Sequence, residues 1–491
     1  MIRKPNTPLS QLVELFGPEL ITTDEIALEA INTDQRKIFK GKALALALPK
    51  NTPDIIKILK FCYAQNIAVV PQGGNTGYCG AATPDETGTQ LVLSLRRMNK
   101  VRSIDPVNNS IVVEAGCILA NVQRAAEEVD RFFPLSLGAE GSCQIGGNLS
   151  TNAGGVNVLR YGMTRDLVLG LEVVLADGRV LNKLTALRKD NTGYDLRHLF
   201  IGAEGTLGVI SAACLKLFSA PKSIATAFVA IPDVNAAIKL LTKLRSSSGD
   251  LISSLELIPH IGLELVLKHI ENTRAPLVIP SPWYVLCEIT SAQVTEPLVQ
   301  RLEEILTAAL ENGLISDAAI AQNERERQDF WRIRKHIPEA QRHEGHSIKH
   351  DISVPINYLP SFVEQASAWV AQNVPEALLV CYGHVGDGNL HFNINERREN
   401  NQRKGTNQNT LANNLTKDYL VAYEANIQRA IHDFVSSYNG SFSAEHGIGK
   451  LKVDELEHYT ETAELGMMRS IKKIFDPKGI MNPGKVLRGH N

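Results

Sequence analysis

The pattern of apolar and polar positions predicts two regions that differ in the order of their secondary-structure elements. Residues 1–40 are typical of a short helical lead-in. Segment 51–66 predicts a capped amphipathic helix, because its apolar residues recur at helical spacing. The apolar face of that helix consists of Ile55, Ile56, Leu59 and Tyr63. From there to about residue 218, short apolar strands alternate with glycine-rich turns.

The pattern changes near residue 220. From there strands and helices alternate, and glycines are few. Segment 225–247 predicts a strand followed by a helix, and 283–290 and 295–313 repeat that order. This repetition is typical of an α+β domain. The polar stretch 395–414 predicts a surface loop.

Composition narrows the class of protein. A chain of 491 residues is too long for one ordinary core, so we expect two or more domains. Lys plus Arg (51) nearly balances Asp plus Glu (53), which argues against a nucleic-acid-binding protein. No signal peptide or membrane span is predicted. Seven scattered cysteines without a CxxC motif indicate reduced thiols, so we expect a cytoplasmic protein.

Three glycine-rich segments follow strands in the first region, at 69–80, 134–155 and 200–211. Gly73, Gly74 and Gly77 allow consecutive backbone N–H groups to turn inward and bind an anion. The polar side chains available in the second segment are Ser142, Asn148, Thr151 and Asn152. Tight turns would explain any one segment alone, but three together favour a nucleotide with a pyrophosphate. The chain contains neither GxGxxG at the head of a helix nor GxxxxGK[ST], so Rossmann and P-loop sites are not supported.

Longer strings resemble a known family. PQGGNTG, GCILANVQ, LGAEGSCQIGGNLSTNAGG, RYGMTRDLVLGLEVVLADG, DNTGYDLRHLFIGAEGTLGVI and MNPGKVL are similar to the FAD-binding domain of the vanillyl-alcohol oxidase / p-cresol methylhydroxylase superfamily. Within it they most resemble D-2-hydroxyacid dehydrogenases of the D-2-hydroxyglutarate dehydrogenase and D-lactate dehydrogenase type. The resemblance covers roughly residues 40–491.

The resemblance implies an α+β fold with four parts. A lead-in (1–40) precedes a two-subdomain PCMH-type FAD-binding domain (41–220). A ferredoxin-like α+β substrate domain (221–450) follows, and a helical C-terminal segment (451–491) returns to the FAD domain.

The resemblance also implies which residues bind FAD. Loop 71–77 would hold the pyrophosphate, and segments 138–155 and 202–209 would line the rest of the cofactor. The implied contacts are Pro71, Gly73, Gly74, Asn75, Thr76, Gly77, Gly138, Ser142, Gly146, Asn148, Thr151, Gly154, Gly155, Glu204, Gly208, Val209 and Asn482. Some relatives attach FAD through a histidine in the first loop. This loop has none, so we expect non-covalent FAD.

Two histidines stand in a predicted hairpin at 382–394 (YGHVGDGNLHFNI). A four-residue turn, 385–388, would place His384 opposite Asn389, and side-chain alternation would then put His391 and Asn393 on the same face. Two histidines are good ligands for a borderline metal such as zinc. The alternative is that both histidines only form hydrogen bonds at the turn.

A third metal ligand is available in 441–450 (SFSAEHGIGK), where Glu445 precedes His446. Glu445 would complete a His–His–Glu set with one open position, and His446 would act as a base. The resemblance implies the same roles, because GHVGDGNLH and EHGIG match motifs that form a divalent-metal and catalytic site in the family. A rival cluster, His343, His346 and His350, lies where a helix runs into a strand, so we expect it not to converge.

Binding of an anionic substrate requires cationic groups, and Arg334 and Lys349 are the candidates. Their alternative role is ordinary surface charge. The resemblance implies that they hold a substrate carboxylate, Arg334 as a fork and Lys349 as a point charge, with Asn393 near the metal. Pro338 stands where the family has a hydroxyl residue, so one contact to the distal carboxylate is missing.

These residues together predict an FAD-dependent oxidation of D-2-hydroxyglutarate to the 2-oxo acid, with proton abstraction by His446 assisted by a divalent metal, zinc being expected. D-lactate or D-malate is the near alternative. A metal-dependent hydrolase is the distant one, and a non-catalytic flavin-binding module is a weaker third. We expect an electron acceptor, with an electron-transfer flavoprotein as a candidate, and a homodimer.

Overall fold

The computed structural model describes residues 7–374, 376–397 and 408–489. The chain forms two compact units. The first unit contains the described residues up to Gly155, then 162–220, and then the chain from Glu445 onward. The second unit contains 156–161 and the described residues of 221–444.

The strands are numbered in chain order. They are β1 (Ile21–Thr22), β2 (Ala43–Ala47), β3 (Val69–Gln72), β4 (Gln90–Ser94), β5 (Val101–Asp105), β6 (Ser110–Glu114), β7 (Arg131–Phe132), β8 (Val168–Val174), β9 (Val180–Lys183), β10 (Val209–Lys216), β11 (Phe218–Ser219), β12 (Ser223–Ile231), β13 (Ile252–Pro259), β14 (Trp283–Ser291), β15 (Asp317–Ile320), β16 (Ser347–Ile348), β17 (Asp351–Ser353), β18 (Leu378–Tyr382) and β19 (Asn389–Asn395).

The helices are numbered in the same way. They are α1 (Pro8–Leu20), α2 (Glu25–Glu29), α3 (Thr52–Gln65), α4 (Leu119–Glu127), α5 (Ile145–Ser150), α6 (Val158–Tyr161), α7 (Arg197–Phe200), α8 (Val234–Ser248), α9 (His260–His269), α10 (Leu298–Glu311), α11 (Glu324–Arg342), α12 (Leu359–Asn373), α13 (Gln408–Ser437), α14 (Val453–Tyr459) and α15 (Thr462–Phe475). Two 3₁₀ turns lie at Thr164–Leu167 and Ile356–Tyr358. None of the described helices is long and apolar enough to cross a membrane.

The first unit contains two principal sheets. One has the order β1-β2-β4-β3, with β2, β4 and β3 parallel. The other is antiparallel, with the order β5-β6-β10-β8-β9. Strand β8 is buried along its whole length, and its one charged residue, Glu172, accepts a hydrogen bond from Ser211 and pairs with Arg102.

Helix α3 shows how local sequence sets the end of an element. Its N-cap is Asn51, whose side chain accepts the N–H of Asp54, and it ends at Asn66 in the left-handed conformation. The residues buried on its inner face are Ile55, Ile58, Leu59 and Cys62. The predicted face differs, with Ile56 and Tyr63 only half-buried, because a 3.6-residue period favours the observed set.

The second unit begins with a four-stranded antiparallel sheet of order β13-β14-β12-β15. Helices α8 and α10 connect its strands, which is the ferredoxin-like arrangement predicted for this region. Leu255 and Leu257 of β13 pack into one core with α8 and α10. Ile258 belongs to a second core, which contains residues of α9 and α11.

A second sheet in this unit is centred on β19, which pairs with β16, β17 and β18. Leu257 and Gly383 exchange backbone hydrogen bonds of 2.8 and 3.1 Å, so β13 lies beside the end of β18. The β18–β19 ladder therefore stops at Tyr382, opposite His391. The turn covers six residues, 383–388, and not the predicted four, because Gly383 pairs with Leu257.

The predicted surface loop at 395–414 has a different outcome in each part. Asn395 is the last residue of β19, and helix α13 begins at Gln408. Residues 398–407 lie outside the described residues.

Candidate active site

The loop after β3 presents a row of backbone amides. Among the described residues, the N–H groups of 73–78 have no hydrogen-bond acceptor. Asn75 has a φ of 54°, and its side chain donates to the carbonyl of Thr33 at 2.8 Å, which anchors the loop. A run of unsatisfied amides is the arrangement that binds phosphate oxygens.

Close backbone approach explains the glycines of this loop. A Cβ on Gly74 would lie 2.3 Å from the carbonyl oxygen of Ser142, and one on Gly73 would lie 3.4 Å from the amide of Gly147. The first and second glycine-rich segments are therefore in contact. Pro71 precedes them in β3, and its ring would be 3.0 Å from a Cβ on Gly205 of the third segment.

The second segment contains buried polar atoms without partners. Asn148 is 5% exposed, and neither its Oδ1 nor the Oε1 of Gln144 has a hydrogen-bond partner among the described residues. The hydroxyl of Thr151 donates to the carbonyl of Gly147, and that of Ser142 to Ala139. The two amide oxygens therefore indicate a missing donor at this segment.

Glycines pack the second segment tightly against its neighbours. Gly146 lies against Ala115, Gly154 against the carboxylate of Glu445, and Gly155 against the carbonyl of Ser136. A Cβ on Gly138 would meet nothing within 4 Å.

Glu204, predicted as a cofactor contact, is fully buried in the third segment. Its carboxylate accepts the N–H groups of Ile448 at 2.7 Å and Gly449 at 2.8 Å. Burial raises the pKa of Glu204 to about 7, against the opposing effect of these two hydrogen bonds. Gly208 packs on Val173, and Val209 begins β10.

Glu445 and His446 belong to the first unit, on the turn that Glu204 holds. The ring of His446 meets the ring of Tyr78 edge-on, with centroids 4.8 Å apart. Tyr78 is the last residue of the amide loop described above. The predicted base therefore lies beside the predicted anion site within one compact unit.

Asn482 connects the C-terminal segment to the same region. It is 1% exposed, its backbone N–H donates to Val69, and its side chain donates to the carbonyls of Ala81 and Glu204. It therefore holds β3 and the third glycine-rich segment together.

The second unit contains a different cluster, centred on Glu256 of β13. This carboxylate accepts Nε of Arg334 at 2.7 Å and lies 2.6 Å from Nδ1 of His384. Burial opposes ionisation of Glu256, but the charge on Arg334 and the hydrogen bonds from His384 and Arg334 outweigh it and hold its pKa well below the ordinary value. Among the described residues, Nη1 and Nη2 of Arg334 have no acceptor.

His391 lies beside this cluster. Its ring centroid is 5.8 Å from that of His384 and 4.9 Å from that of Tyr382. The guanidinium of Arg334 lies over the ring of Tyr382, with Cζ 4.8 Å from the ring centroid. The structure therefore brings both predicted metal ligands of this unit and Arg334 together.

Asn393 and Lys349 are placed less simply. The Asn393 amide donates to Oε1 of Gln341 at 3.0 Å and accepts the N–H of His350 at 3.3 Å. Lys349 is half-buried between β16 and β17. The role of each in binding a substrate stays a prediction.

The rival histidines have separate surroundings. His343 stacks on His269 with centroids 4.9 Å apart, Nε2 of His346 is 3.3 Å from a carboxylate oxygen of Glu424, and Nδ1 of His350 is 2.7 Å from the carbonyl of Phe392. Each ring therefore faces a different neighbour.

Comparisons with known proteins bear on the whole chain. Residues 43–183 match the model of the FAD binding domain, and residues 220–486 match that of the C-terminal domain of FAD linked oxidases. The chain belongs to the FAD-linked oxidases. This FAD-linked oxidase is 39% identical to D-2-hydroxyglutarate dehydrogenase, mitochondrial, of Arabidopsis thaliana, over 98% of this chain and 81% of the relative. The Danio rerio protein of the same name is 38% identical, over 96% and 83%.

The fold of this FAD-linked oxidase is that of its structural neighbours. The crystal structure of p-cresol methylhydroxylase with substrate bound matches with a TM-score of 0.71 at 16% identity, over 98% of this chain and 96% of that chain. The predicted α+β fold with a PCMH-type FAD-binding domain is confirmed, and so is the resemblance on which it rested.

The first unit of the FAD-linked oxidase fits the cofactor. The unsatisfied amides of 73–78 suit a pyrophosphate, and the partnerless oxygens of Gln144 and Asn148 suit donors of a flavin or ribose. FAD binding agrees with the family, while the contact made by each predicted residue stays a prediction.

Sequence reasoning missed Glu256, Gln341 and Tyr78. Glu256 is the single charged residue in a strand whose eight residues are all buried, and a lone buried carboxylate signals a partner. Gln341 lies on the buried stripe of α11, with Phe330, Arg334 and Ile337. Tyr78 has no comparable signal, because it is exposed in a turn.

Proposed function

We propose that this FAD-linked oxidase is a D-2-hydroxyacid dehydrogenase that converts D-2-hydroxyglutarate to 2-oxoglutarate. The relatives named for this activity support the reaction and the substrate. The observation that carries the proposal is the cluster in the second unit, where a buried carboxylate pairs with the guanidinium of Arg334 and the imidazole of His384, and the ring of His391 lies beside that of His384. Such a cluster suits a small acid with two carboxylates.

The proposed metal site uses His384, His391 and Glu445. A histidine that binds a metal usually donates its other ring N–H to a carboxylate, and Glu256 is placed to accept from Nδ1 of His384 in this way. The backbone N–H of Ala444 donates to the carbonyl of Asp351, and Asp351 pairs in register with His391. Glu445 is the next residue along the chain after Ala444. A divalent cation there, zinc being our choice, would supply positive charge that favours loss of the hydroxyl proton.

The chain's own residues divide the reaction between them. Arg334, through Nη1 and Nη2, and Lys349 hold the distal carboxylate, while Asn393 positions the carboxylate near the metal. His446 takes the proton of the 2-hydroxyl group on a ring nitrogen, and the hydroxyl carbon becomes a carbonyl carbon as it loses a hydride. FAD, when bound, supplies the acceptor for that hydride, and a protein partner such as an electron-transfer flavoprotein would then reoxidise it.

The near alternative, D-lactate or D-malate, draws support from Pro338. This residue lies in α11 one turn after Arg334 and has no side-chain donor. A smaller substrate would not require that contact. The metal-dependent hydrolase gives the FAD-binding domain no role. A cytoplasmic location and a homodimer stay predictions, and the plant and fish relatives are named as mitochondrial proteins.

Anaerobic mixing of the purified flavoprotein with D- and L-2-hydroxyglutarate, D-lactate and D-malate tests the proposal. We expect D-2-hydroxyglutarate to bleach the flavin absorbance fastest and its L-enantiomer to leave it unchanged. Faster bleaching by D-lactate would make D-lactate the preferred substrate in place of D-2-hydroxyglutarate. No bleaching by any hydroxy acid would overturn the proposal. FAD released by acid denaturation would support non-covalent attachment.

A further inference from the structure

Glu256 joins two groups that have different tasks in the proposed function. Its Oε2 accepts Nε of Arg334, the proposed substrate-binding residue, and its Oε1 lies 2.6 Å from Nδ1 of His384, the proposed metal ligand. The carboxylate is 1% exposed, so water does not compete for either oxygen.

The hydrogen-bond roles in this cluster assign the proton on His384. Arg334 is a permanent cation that can only donate, so Oε2 accepts. A carboxylate held beside a guanidinium is ionised, and its other oxygen also accepts. Nδ1 of His384 must then carry the proton at a distance of 2.6 Å. The lone pair of the neutral ring therefore lies on Nε2, which is the form that a metal ligand requires.

We propose that Glu256 is a positioning residue that fixes the tautomer and ring orientation of His384 and ties both to the position of Arg334. This inference rests on the proposed metal role of His384. Through one carboxylate, the group that holds the substrate and a group that holds the metal share a single fixed geometry.

A comparison within the second unit supports a specific role. Glu288 of β14 is a buried carboxylate that accepts hydrogen bonds from Arg327, Trp331 and Thr226, and no histidine among the described residues pairs with it. A buried ion pair with only a structural task would resemble that of Glu288.

Glu256→Gln distinguishes a positioning role from a purely structural one, because an amide has one oxygen and one NH₂ group. The charged Arg334 requires the oxygen. The NH₂ group then faces Nδ1 of His384 and donates to it, which moves the ring proton to Nε2. The metal-binding nitrogen is thereby blocked, and we expect zinc affinity to fall roughly 10–100-fold.

The test is a zinc titration of the metal-depleted flavoprotein against a competing fluorescent chelator. We compare the wild type with Glu256→Gln and with the matched control Glu288→Gln, which should bind zinc within about twofold of wild type. Adding Arg334→Met to Glu256→Gln frees the amide to rotate. Its oxygen can then accept Nδ1–H, so zinc affinity should recover toward wild type, which lost packing alone would not produce.

The outcomes separate this inference from the metal proposal. Zinc binding that survives in His384→Ala would overturn the metal role of His384 and the role of Glu256 with it. Loss in His384→Ala with unchanged affinity in Glu256→Gln would overturn the role of Glu256 alone. If Glu256→Gln does not fold, as judged by flavin content and melting temperature, Glu256→Gln/Arg334→Met is compared with Glu256→Leu/Arg334→Met. Both of these double variants lack the buried ion pair, and equal zinc affinities in the two would contradict the inference.

Discussion

At the residue scale, His446 is the sharpest test of the chemistry. His446→Ala should leave FAD content unchanged, because His446 lies on a turn outside the strands and helices, where its ring meets that of Tyr78 edge-on. Removal of a general base should slow flavin bleaching by D-2-hydroxyglutarate by roughly 10²–10⁴-fold, measured by anaerobic stopped flow. His458→Ala, an exposed histidine of the same unit, is the control. Bleaching at the wild-type rate in His446→Ala would assign the base to another group.

Arg334 offers a second prediction at this scale. Arg334→Lys removes the planar fork and leaves a point charge, so KM for D-2-hydroxyglutarate should rise about tenfold or more. KM for D-lactate, which has no distal carboxylate, should rise less. Arg327→Lys is the matched control, because Arg327 lies on the same helix and also pairs with a buried glutamate, at 3.0 Å. Equal rises for both substrates would place Arg334 elsewhere than at the distal carboxylate.

At the scale of elements, the loop after β3 depends on close contact with the second glycine-rich segment. Gly74→Ala would put a Cβ 2.3 Å from the carbonyl oxygen of Ser142, so one of the two backbones must move. We expect FAD loss on gel filtration and a lower flavin-to-protein absorbance ratio. Gly466 lies in α15, where an added Cβ would meet nothing within 4 Å, so the control variant Gly466→Ala should keep its flavin. Full flavin content in Gly74→Ala would mean that this contact is dispensable for the cofactor.

Glu204 carries the next prediction, since it joins the third glycine-rich segment to the turn of His446. Its folded-state pKa of about 7 lies above the ordinary carboxylate value, so the folded protein binds the proton more tightly than the unfolded chain. Its stabilising contribution is therefore complete at acidic pH below the ordinary carboxylate pKa. It declines from there and is lost as the pH rises through about 7.

Melting temperatures of the wild type and Glu204→Gln, measured from pH 5 to 8, check this. The melting temperature of the wild type should fall relative to that of Glu204→Gln as the pH rises, because Glu204 ionises and glutamine cannot. A constant difference across that range would show that Glu204 does not titrate there.

At the scale of the whole molecule, metal removal tests whether the proposed ligands act as one site. Dialysis against a strong chelator should abolish turnover while the flavin spectrum persists, because the candidate FAD contacts lie on other segments. Zinc should restore activity better than magnesium, since imidazole ligands suit zinc and magnesium prefers oxygen ligands. Manganese or cobalt should restore some activity. Full activity after verified metal removal would remove the cation from the mechanism.

The amino-acid sequence by itself was enough for features that depend on local backbone chemistry. The glycine loops, the α+β alternation and the strings shared with FAD-linked oxidases are all local, because glycine conformation and side-chain periodicity are properties of short segments. The two hairpin histidines were found for the same reason. They stand seven residues apart, His384 in the turn after β18 and His391 on β19, which pairs with β18.

Only the tertiary structure decided which buried groups meet. Glu256 is one charge in an apolar strand, and its partners Arg334 and His384 come from a helix and a turn that are distant in sequence. The six-residue turn likewise follows from the pairing of Gly383 with Leu257 on another strand. Such pairings are set by how α11 and β18 pack against β13, and the free energy of packing depends on surfaces that no short stretch of sequence contains.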